Sequence, residues 1–255
     1  MSLEWRLLEA EYDDPYLNMA LEEAIPTMVG RRIVPETVRL WRNLRAVAIG
    51  RFQRVESEVD LEVCRRRCVD IVRRFTGGGA VYQDHGNLNY AISLQGDNSL
   101  LRGDILEDFQ SLSRGVISGL RRLGLNAEYG RKNLIHIGGL KLSGIAGSSS
   151  AESFFLHGTL LVSTDLSILS EVLRGPGSLT SGRQGVQSVR SPVTSLRNAL
   201  GGDICFEAVR KALLEGFEEA FQVNLVSNRP SREEEELARR LYETKYSKRE
   251  WNLEL

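Results

Sequence analysis

The stretch Arg73–Tyr90, RRFTGGGAVYQDHGNLNY, decides how the rest of this chain is read. Three consecutive glycines, Gly77, Gly78 and Gly79, separate an apolar-to-basic lead-in (Ile71-Val72-Arg73-Arg74) from a second apolar segment. Glycine tolerates φ > 0 and lets the backbone approach another group closely. Between two strands, such a triplet fits either a flexible hairpin tip or a loop whose N–H groups turn toward an anionic ligand. Arg74, just upstream, offers a planar cationic fork for that anion. Thr76 adds a hydroxyl.

Moving outward toward the N-terminus, 60–67 reads as a short helix and Ala46–Ile49 as a buried strand closed by Gly50. Residues 37–42 alternate polar and apolar, as a half-buried strand does. Asp13-Asp14-Pro15 reads as a helix start, an Asp capping free N–H groups and proline fitting the first turn. Leu17, Leu21, Ala24, Ile25 and Met28 then form one apolar stripe at helical spacing. Toward the C-terminus, 88–94 reads as a strand and 100–123 as one long amphipathic helix. Residues 126–162 read as three or four short strands and 165–173 as a short helix. The Gly/Ser-rich connector 175–190 reads as a mobile loop, and 206–221 as a further helix. Tyr246 and Trp251 are expected to dock on the core. Helices and short strands interleave irregularly, which predicts an α+β class rather than a doubly wound sheet.

At 255 residues and 42% hydrophobic content, the chain can bury the core of one large domain. A formal net charge of −1 leaves no electrostatic footprint for nucleic acid or an anionic membrane. No apolar run approaches a membrane span, and the start, MSLEWRLLEAEYDD, is too acidic for a signal peptide; a cytoplasmic protein is expected. Three cysteines without a framework, Cys64, Cys68 and Cys205, fit a reducing compartment. Cys64 and Cys68, four apart on one helical face, read as two small buried hydrophobes. Lysine occurs at only five positions, the other 28 basic residues being arginine. Each lysine therefore raises the question of what arginine cannot do there. Lys141 raises it most sharply, being flanked by Gly138-Gly139-Leu140 and Leu142-Ser143-Gly144 in a neutral, partly apolar setting.

Taken whole, RRFTGGGAVYQDHGNLNY resembles the signature of the lipoate–protein ligase family: Arg-Arg-x-Ser/Thr-Gly-Gly-Gly-Ala-Val-Tyr/Phe-His-Asp-x-Gly-Asn-x-Asn. Gln83 stands where that pattern has histidine. The likeness extends to Gly-Arg-x-Gln (Gly50–Gln53), to GRKNLIHIGGLKLSGIAG (130–147), to His-Gly-Thr-Leu-Leu (157–161) and to Val-Thr-x-Leu (193–196). It covers 13–251 and is nearest the archaeal-type large subunit.

The resemblance implies the biotin/lipoate ligase catalytic fold, related to class II synthetases, as a single domain over 1–255 without the C-terminal accessory domain. It implies ATP, Mg2+ and lipoate as cofactors and substrate, with metal ligands undetermined. Lipoate attacks the α-phosphate of ATP, giving lipoyl-AMP, and a lysine of a lipoyl-domain protein then displaces AMP. The acceptors implied are the E2 component of 2-oxoacid dehydrogenases, the glycine cleavage H protein or similar. A separate small accessory subunit is expected to support efficient transfer.

Lys141 is implied as the residue that meets carboxylate and phosphate in turn. Arg74, Thr76, Gly77, Gly78, Gly79, Ala80, Val81 and Tyr82 would cover nucleotide and acyl chain. Asn87 and Asn133 would hydrogen-bond the ligand, Asn133 standing where many members have Asp. Ile145 and Thr159 would line an acyl tunnel, and His157 either orients the ligand or is a satisfied structural residue. The competing reading on this fold is an octanoyl- or lipoyl-transferase working through a cysteine thioester without ATP; the Lys141 neighbourhood contains no cysteine. A non-catalytic lipoate-binding protein is the other alternative.

Overall fold

Alternation along the strands of one sheet sends apolar side chains to one face and polar ones to the other. The first face becomes the core and the second the site. The computed structural model describes residues 3–174, 186–189 and 191–254. The chain runs β1 (Leu3–Leu8), α1 (Pro15–Gly30), β2 (Thr37–Trp41), β3 (Ala46–Ile49), α2 (Val55–Glu58), α3 (Leu61–Arg67), β4 (Asp70–Arg73), β5 (Val81–Gln83) and β6 (Asn87–Gln95). It continues through α4 (Ile105–Leu112), α5 (Arg114–Arg122), β7 (Glu128–Gly130), β8 (Leu134–Ile137), β9 (Leu140–Ser149) and β10 (Ser153–Leu161). Then come α6 (Leu166–Val172), α7 (Leu196–Leu200), α8 (Phe206–Phe221), β11 (Val223–Asn228), α9 (Arg232–Leu241), a π-helical turn (Tyr242–Tyr246) and α10 (Arg249–Leu253).

Among the described residues, eight strands form a mixed sheet in the order β11-β1-β2-β6-β10-β9-β8-β7, and β4-β3-β5 form a small second sheet. This is the expected α+β arrangement. On one face of the large sheet, Leu40, Tyr90, Ile92, Phe154, Leu156 and Leu160 pack in one cluster with Val116 and Leu120 of α5 and Leu213 and Phe217 of α8. Burial of each such side chain contributes about 1.5–3 kcal/mol. The opposite face carries two rows in register across four strands. One is Trp41–Asn89–Thr159–Gly144 and the other Arg39–Ala91–His157–Ala146. Helix α1, capped by Asp14 with Pro15 in its first turn, packs over this face against β6 and β10.

The residues around the glycine loop are tied to distant parts of the chain. Arg73 is fully buried and donates to the carbonyls of Gly50, Gln53 and Trp251, while Trp251 Nε1 donates back to Arg73 O. The C-terminal segment thus docks as expected, with Tyr246 fully buried. Elements not foreseen from sequence include β1, β11 and α9. β11 pairs with β1, and the buried ion pair between Arg6 and Glu234 ties β1 to α9, Glu234 also completing a capping box with Ser231.

Two sequence expectations need correction. The long helix over 100–123 is two helices broken at Ser113, whose hydroxyl bonds back to Phe109 O at 2.6 Å; such back-bonding competes with the helical ladder and bends it. Cys64 is buried, but Cys68 is exposed: it ends α3 in the left-handed region at φ 52°, so it does not share the buried face. Most of the connector over 175–190, expected to be mobile, lies outside the described residues. No helix among the described residues is long and apolar enough to cross a membrane.

Candidate active site

The polar face of the sheet, α1 and the glycine loop enclose a cavity of about 220 Å³. A second cavity, also about 220 Å³, adjoins it under α6 and the segment 191–193. The two share Ala80, Val81, Lys141, Gly144, Thr159, Ser188, Val189 and Ser191 as lining, so Lys141 stands where they meet.

Several features hold Lys141 there. Its backbone is clamped by Lys141 N–H to Pro192 O at 2.8 Å and Thr194 N–H to Lys141 O at 2.9 Å. Its side chain folds back over Gly144, where a Cβ would lie 3.0 Å from Nζ, so the missing methyl clears the ammonium's path. Nζ has no hydrogen bond or ion pair to any described residue. Burial, and secondarily the charge of Arg74, push the lysine below its ordinary pKa. An unpaired, partly buried cation between two cavities gains most from an anionic ligand.

The glycine loop is shaped by Arg74. Its guanidinium donates to Gly77 O at 2.7 Å, Gly79 O at 2.8 Å and Ala48 O at 3.0 Å. Gly78 takes φ 91°, and a Cβ on Gly50 would sit 2.1 Å from Gly78 O, so the loop can close down only because both positions are glycine. Arg74 lines the first cavity as expected, and its fork is also engaged with the carbonyls of Gly77 and Gly79 in the loop and Ala48 on β3, so it aims the loop. The loop's Ala80 N–H faces the other way and donates to Ser188 Oγ at 2.8 Å. Ser188 is held in turn by Gln53 Nε2 at 3.0 Å and, through its own N–H, by Glu58 Oε1 at 3.0 Å.

His157 sits between Glu22 Oε1 on Nδ1 and Thr76 Oγ1 on Nε2, each at 2.7 Å. A carboxylate only accepts, so Nδ1 carries a proton. The chain Glu22–His157–Thr76 therefore ties α1 to the start of the glycine loop, and His157 also lines the first cavity. Thr76 and Gly77 do not line it: the threonine hydroxyl is spent on His157.

Gly78, Gly79, Ala80, Val81, Asn133, Ile145 and Thr159 do line the first cavity, and Tyr82 lines the second. Asn133 takes φ 54° after Lys132 at φ 68°, two left-handed residues in the β7–β8 turn, and its Oδ1 accepts from Tyr129 Oη at 3.0 Å. Asn87 is a second correction. It is fully buried in the β5–β6 turn, where Oδ1 accepts from Asp84 N and Nδ2 reaches Tyr82 O, and it touches neither cavity. Sequence reasoning missed Glu22, Trp41, Asn89, Lys132 and Ser188 as lining. Lysine scarcity pointed to Lys132 as much as to Lys141. The others carry no local signal, since their positions depend on cross-strand register.

A glycine loop over a polar sheet face and an unpaired, partly buried lysine where two cavities meet make a site suited to an anionic ligand. Residues 14–218 match the lipoyl protein ligase A/B catalytic domain, and the chain belongs to that family. It is 34% identical to lipoate-protein ligase A subunit 1 of Thermoplasma acidophilum, over 99% of this chain and 98% of that one. It is 30% identical to octanoyltransferase LipM of Symbiobacterium thermophilum, over 99% of both. Among solved structures, a putative T. acidophilum lipoate ligase with bound lipoic acid superposes with TM-score 0.86 at 33% identity, covering 99% of this chain and 100% of that one. A lipoate-protein ligase A bound with ATP gives TM-score 0.86 at 33% identity, covering 98% of both. The bi-partite T. acidophilum ligase, described with its E2 lipoyl domain, gives 0.84 at 32%, covering 98% of this chain and 96% of that one.

Proposed function

We propose that the chain is an ATP-dependent lipoate–protein ligase. The observation that carries this reading is Lys141: an unpaired ammonium at the junction of two cavities, neither of which is lined by a cysteine. A substrate with two unlike halves, an acyl chain and an adenylate, suits two chambers that meet at one cation.

In this reading the acyl chain enters the first cavity, which reaches Met19, Trp41 and Ala48, and the adenylate takes the second. A lipoate carboxylate oxygen attacks the α-phosphorus of ATP and pyrophosphate leaves. The acceptor lysine's amine then attacks the acyl carbonyl, and AMP leaves with the bond electrons. Lys141 balances the carboxylate and α-phosphate before the first step and the charge growing on the departing phosphate oxygen in the second. Its flexible stem lets one ammonium follow the reacting centre between cavities, which a planar guanidinium does less well. For nucleotide oxygens to gain the Ala80 N–H, Ser188 must give it up. Among the described residues no group of three or more His, Cys, Asp or Glu could hold a metal; a Mg2+ accompanying ATP would neutralise charge on its phosphates.

The second reading, an octanoyl- or lipoyl-transferase, is favoured by the likeness to LipM. It requires a thiolate beside the acyl carbonyl. Cys64 is buried in α3, with its thiol pushed up to about 11 by burial, and the exposed Cys68 and Cys205 end one helix and begin another. The likeness to a bi-partite ligase supports lipoyl-domain proteins as acceptors and a separate small accessory subunit.

The test is incubation with ATP, lipoate and a lipoyl domain, read by mass spectrometry. Lipoyl addition that requires ATP and survives in the Cys64→Ser/Cys68→Ser/Cys205→Ser variant is expected. ATP-independent transfer from an octanoylated carrier protein, lost in the same folded variant, would replace this reading with the transferase. Faster modification on adding an accessory protein checks the subunit proposal; an unchanged rate contradicts it.

A further inference from the structure

A groove of about 520 Å³, larger than either chamber of the site, runs between α4, α5 and β7. Arg102, Arg114 and Arg121 line it, all three exposed, and none makes an ion pair with a described residue. Arg114 donates to Ser111 O and Oγ across the break between the two helices. Arg121 feels Glu219 only at longer range, because Ser118 and Arg122 already hold that carboxylate. Elsewhere on the surface Arg32, Arg67, Arg122 and Arg210 each meet a carboxylate. The groove's arginines are left unspent.

The acids nearby do not change that. Asp104 and Asp108 accept from backbone N–H groups of α4 and Arg102. Glu107 and Glu128 line the groove without an ion pair to a described residue. Arg131 and Lys132, exposed in the β7–β8 turn, extend the strip, giving five cations to those two carboxylates. A uniform polyanion would run into both glutamates. A folded partner can set acids opposite the arginines and keep them clear of the glutamates. An arginine fork also grips a carboxylate with two parallel hydrogen bonds.

The groove adjoins the site. β7 is the last strand of the large sheet, so no described strand pairs with its outer edge. Glu128 is in register with His136, and His136 with Lys141, which sets the groove's rim two strand spacings, about 10 Å, from the Lys141 backbone. Tyr129 lines the groove, and its Oη donates at 3.0 Å to Asn133 Oδ1, Asn133 and Lys132 both lining the first cavity. One side chain separates the two. We infer that this groove docks an acidic face of the protein domain that receives the acyl group, bringing its lysine to the Lys132–Asn133 side of the cavity. The inference rests on the ligase reading for the identity of that partner. Exposed charges of this kind act on encounter and orientation and are screened by salt.

The experiment uses Arg102→Glu/Arg121→Glu, with Arg239→Glu/Arg240→Glu, at exposed positions on α9, as a control of equal charge. Three quantities are measured: lipoate-dependent pyrophosphate exchange into ATP without acceptor, steady-state transfer to a lipoyl domain, and calorimetric binding of the unmodified domain. In the groove variant the KM for the domain should rise at least about fivefold and binding should weaken alike, while exchange and kcat hold. Raised salt should weaken domain binding to the wild type more than to the groove variant. Arg102→Gln/Arg121→Gln, which removes the charges without reversing them, should show the same pattern at smaller amplitude and decides the matter if the reversal misfolds. An unchanged domain KM in the folded groove variant overturns the inference, as does an equal loss in the α9 control. So does a defect seen only when an accessory subunit is added, which would assign the groove to that subunit. Groove-dependent domain binding by a wild type that shows no pyrophosphate exchange would defeat the ligase reading and leave the docking surface standing.

Discussion

The two faces of the large sheet are built from the same strands and do opposite jobs. Along β10, Phe154, Leu156 and Leu160 enter the core beneath α5 and α8, while Phe155, His157 and Thr159 turn to the face under α1. The core face is apolar and close-packed. The site face is threaded by buried amides and arginines: Arg39 donates to Ala10 O and Asn18, and the Asn18–Asn43–Gln83–Asn89 chain runs on to the cavity. Stability is concentrated on one side, and on the other, polar groups are fixed in place at the expense of apolar burial. Single substitutions should therefore separate the two.

The largest loss of stability is expected from the core face. Phe217→Ala removes a fully buried ring and should cost about 3–5 kcal/mol in denaturant unfolding, with pyrophosphate exchange per folded molecule unchanged. A drop in exchange per folded molecule would show that the faces are not independent.

Arg74→Ala should invert that pattern. Stripped of the fork, the carbonyls of Gly77, Gly79 and Ala48 lose their donors, costing roughly 1–3 kcal/mol, while exchange falls at least about tenfold because the loop loses its aim. Arg74→Lys should not restore it, since one ammonium cannot reach three carbonyls in a fork's geometry. Rescue by lysine would return Arg74 to the role of a simple charge.

The smallest effect is a pH dependence. Burial and Arg74 lower the Lys141 pKa in the folded protein, so the unfolded chain binds that proton more tightly. The cost of the buried charge is complete below the lowered pKa and is relieved as pH rises from there toward the ordinary lysine value. Lys141→Met should accordingly be more stable than wild type near neutral pH, the gap closing at alkaline pH. A gap that widens with pH contradicts the assignment of an unpaired ammonium.

Much of this could be read directly from sequence. Asp14, Pro15 and the apolar stripe marked α1, and the glycine triplet with Lys141 between glycines marked the site, because each is a local pattern. Ser113 hid the break between α4 and α5, since the apolar periodicity continues across it. Arg74 was legible as a cavity residue but not as the residue that aims the loop, because that part depends on Gly77, Gly79 and Ala48 carbonyls whose direction only the folded loop defines. Asn87 looked like a ligand partner because an Asn in a glycine-rich turn reads alike whether it serves a substrate or its own backbone. Trp41, Asn89 and Glu22 were invisible for a further reason: they come together through α1 packing and register across β2, β6 and β10, which no short window contains.

The central claim is that Lys141 serves the chemistry and not the fold. Lipoate-dependent exchange of labelled pyrophosphate into ATP, measured beside thermal unfolding, tests it most directly. Wild type should exchange. Lys141→Ala should lose roughly 10²–10³-fold while melting no lower than wild type, and Lys141→Arg should fail as well, keeping the charge but not the compact head or flexible stem. Full exchange by a folded Lys141→Ala protein would contradict the account.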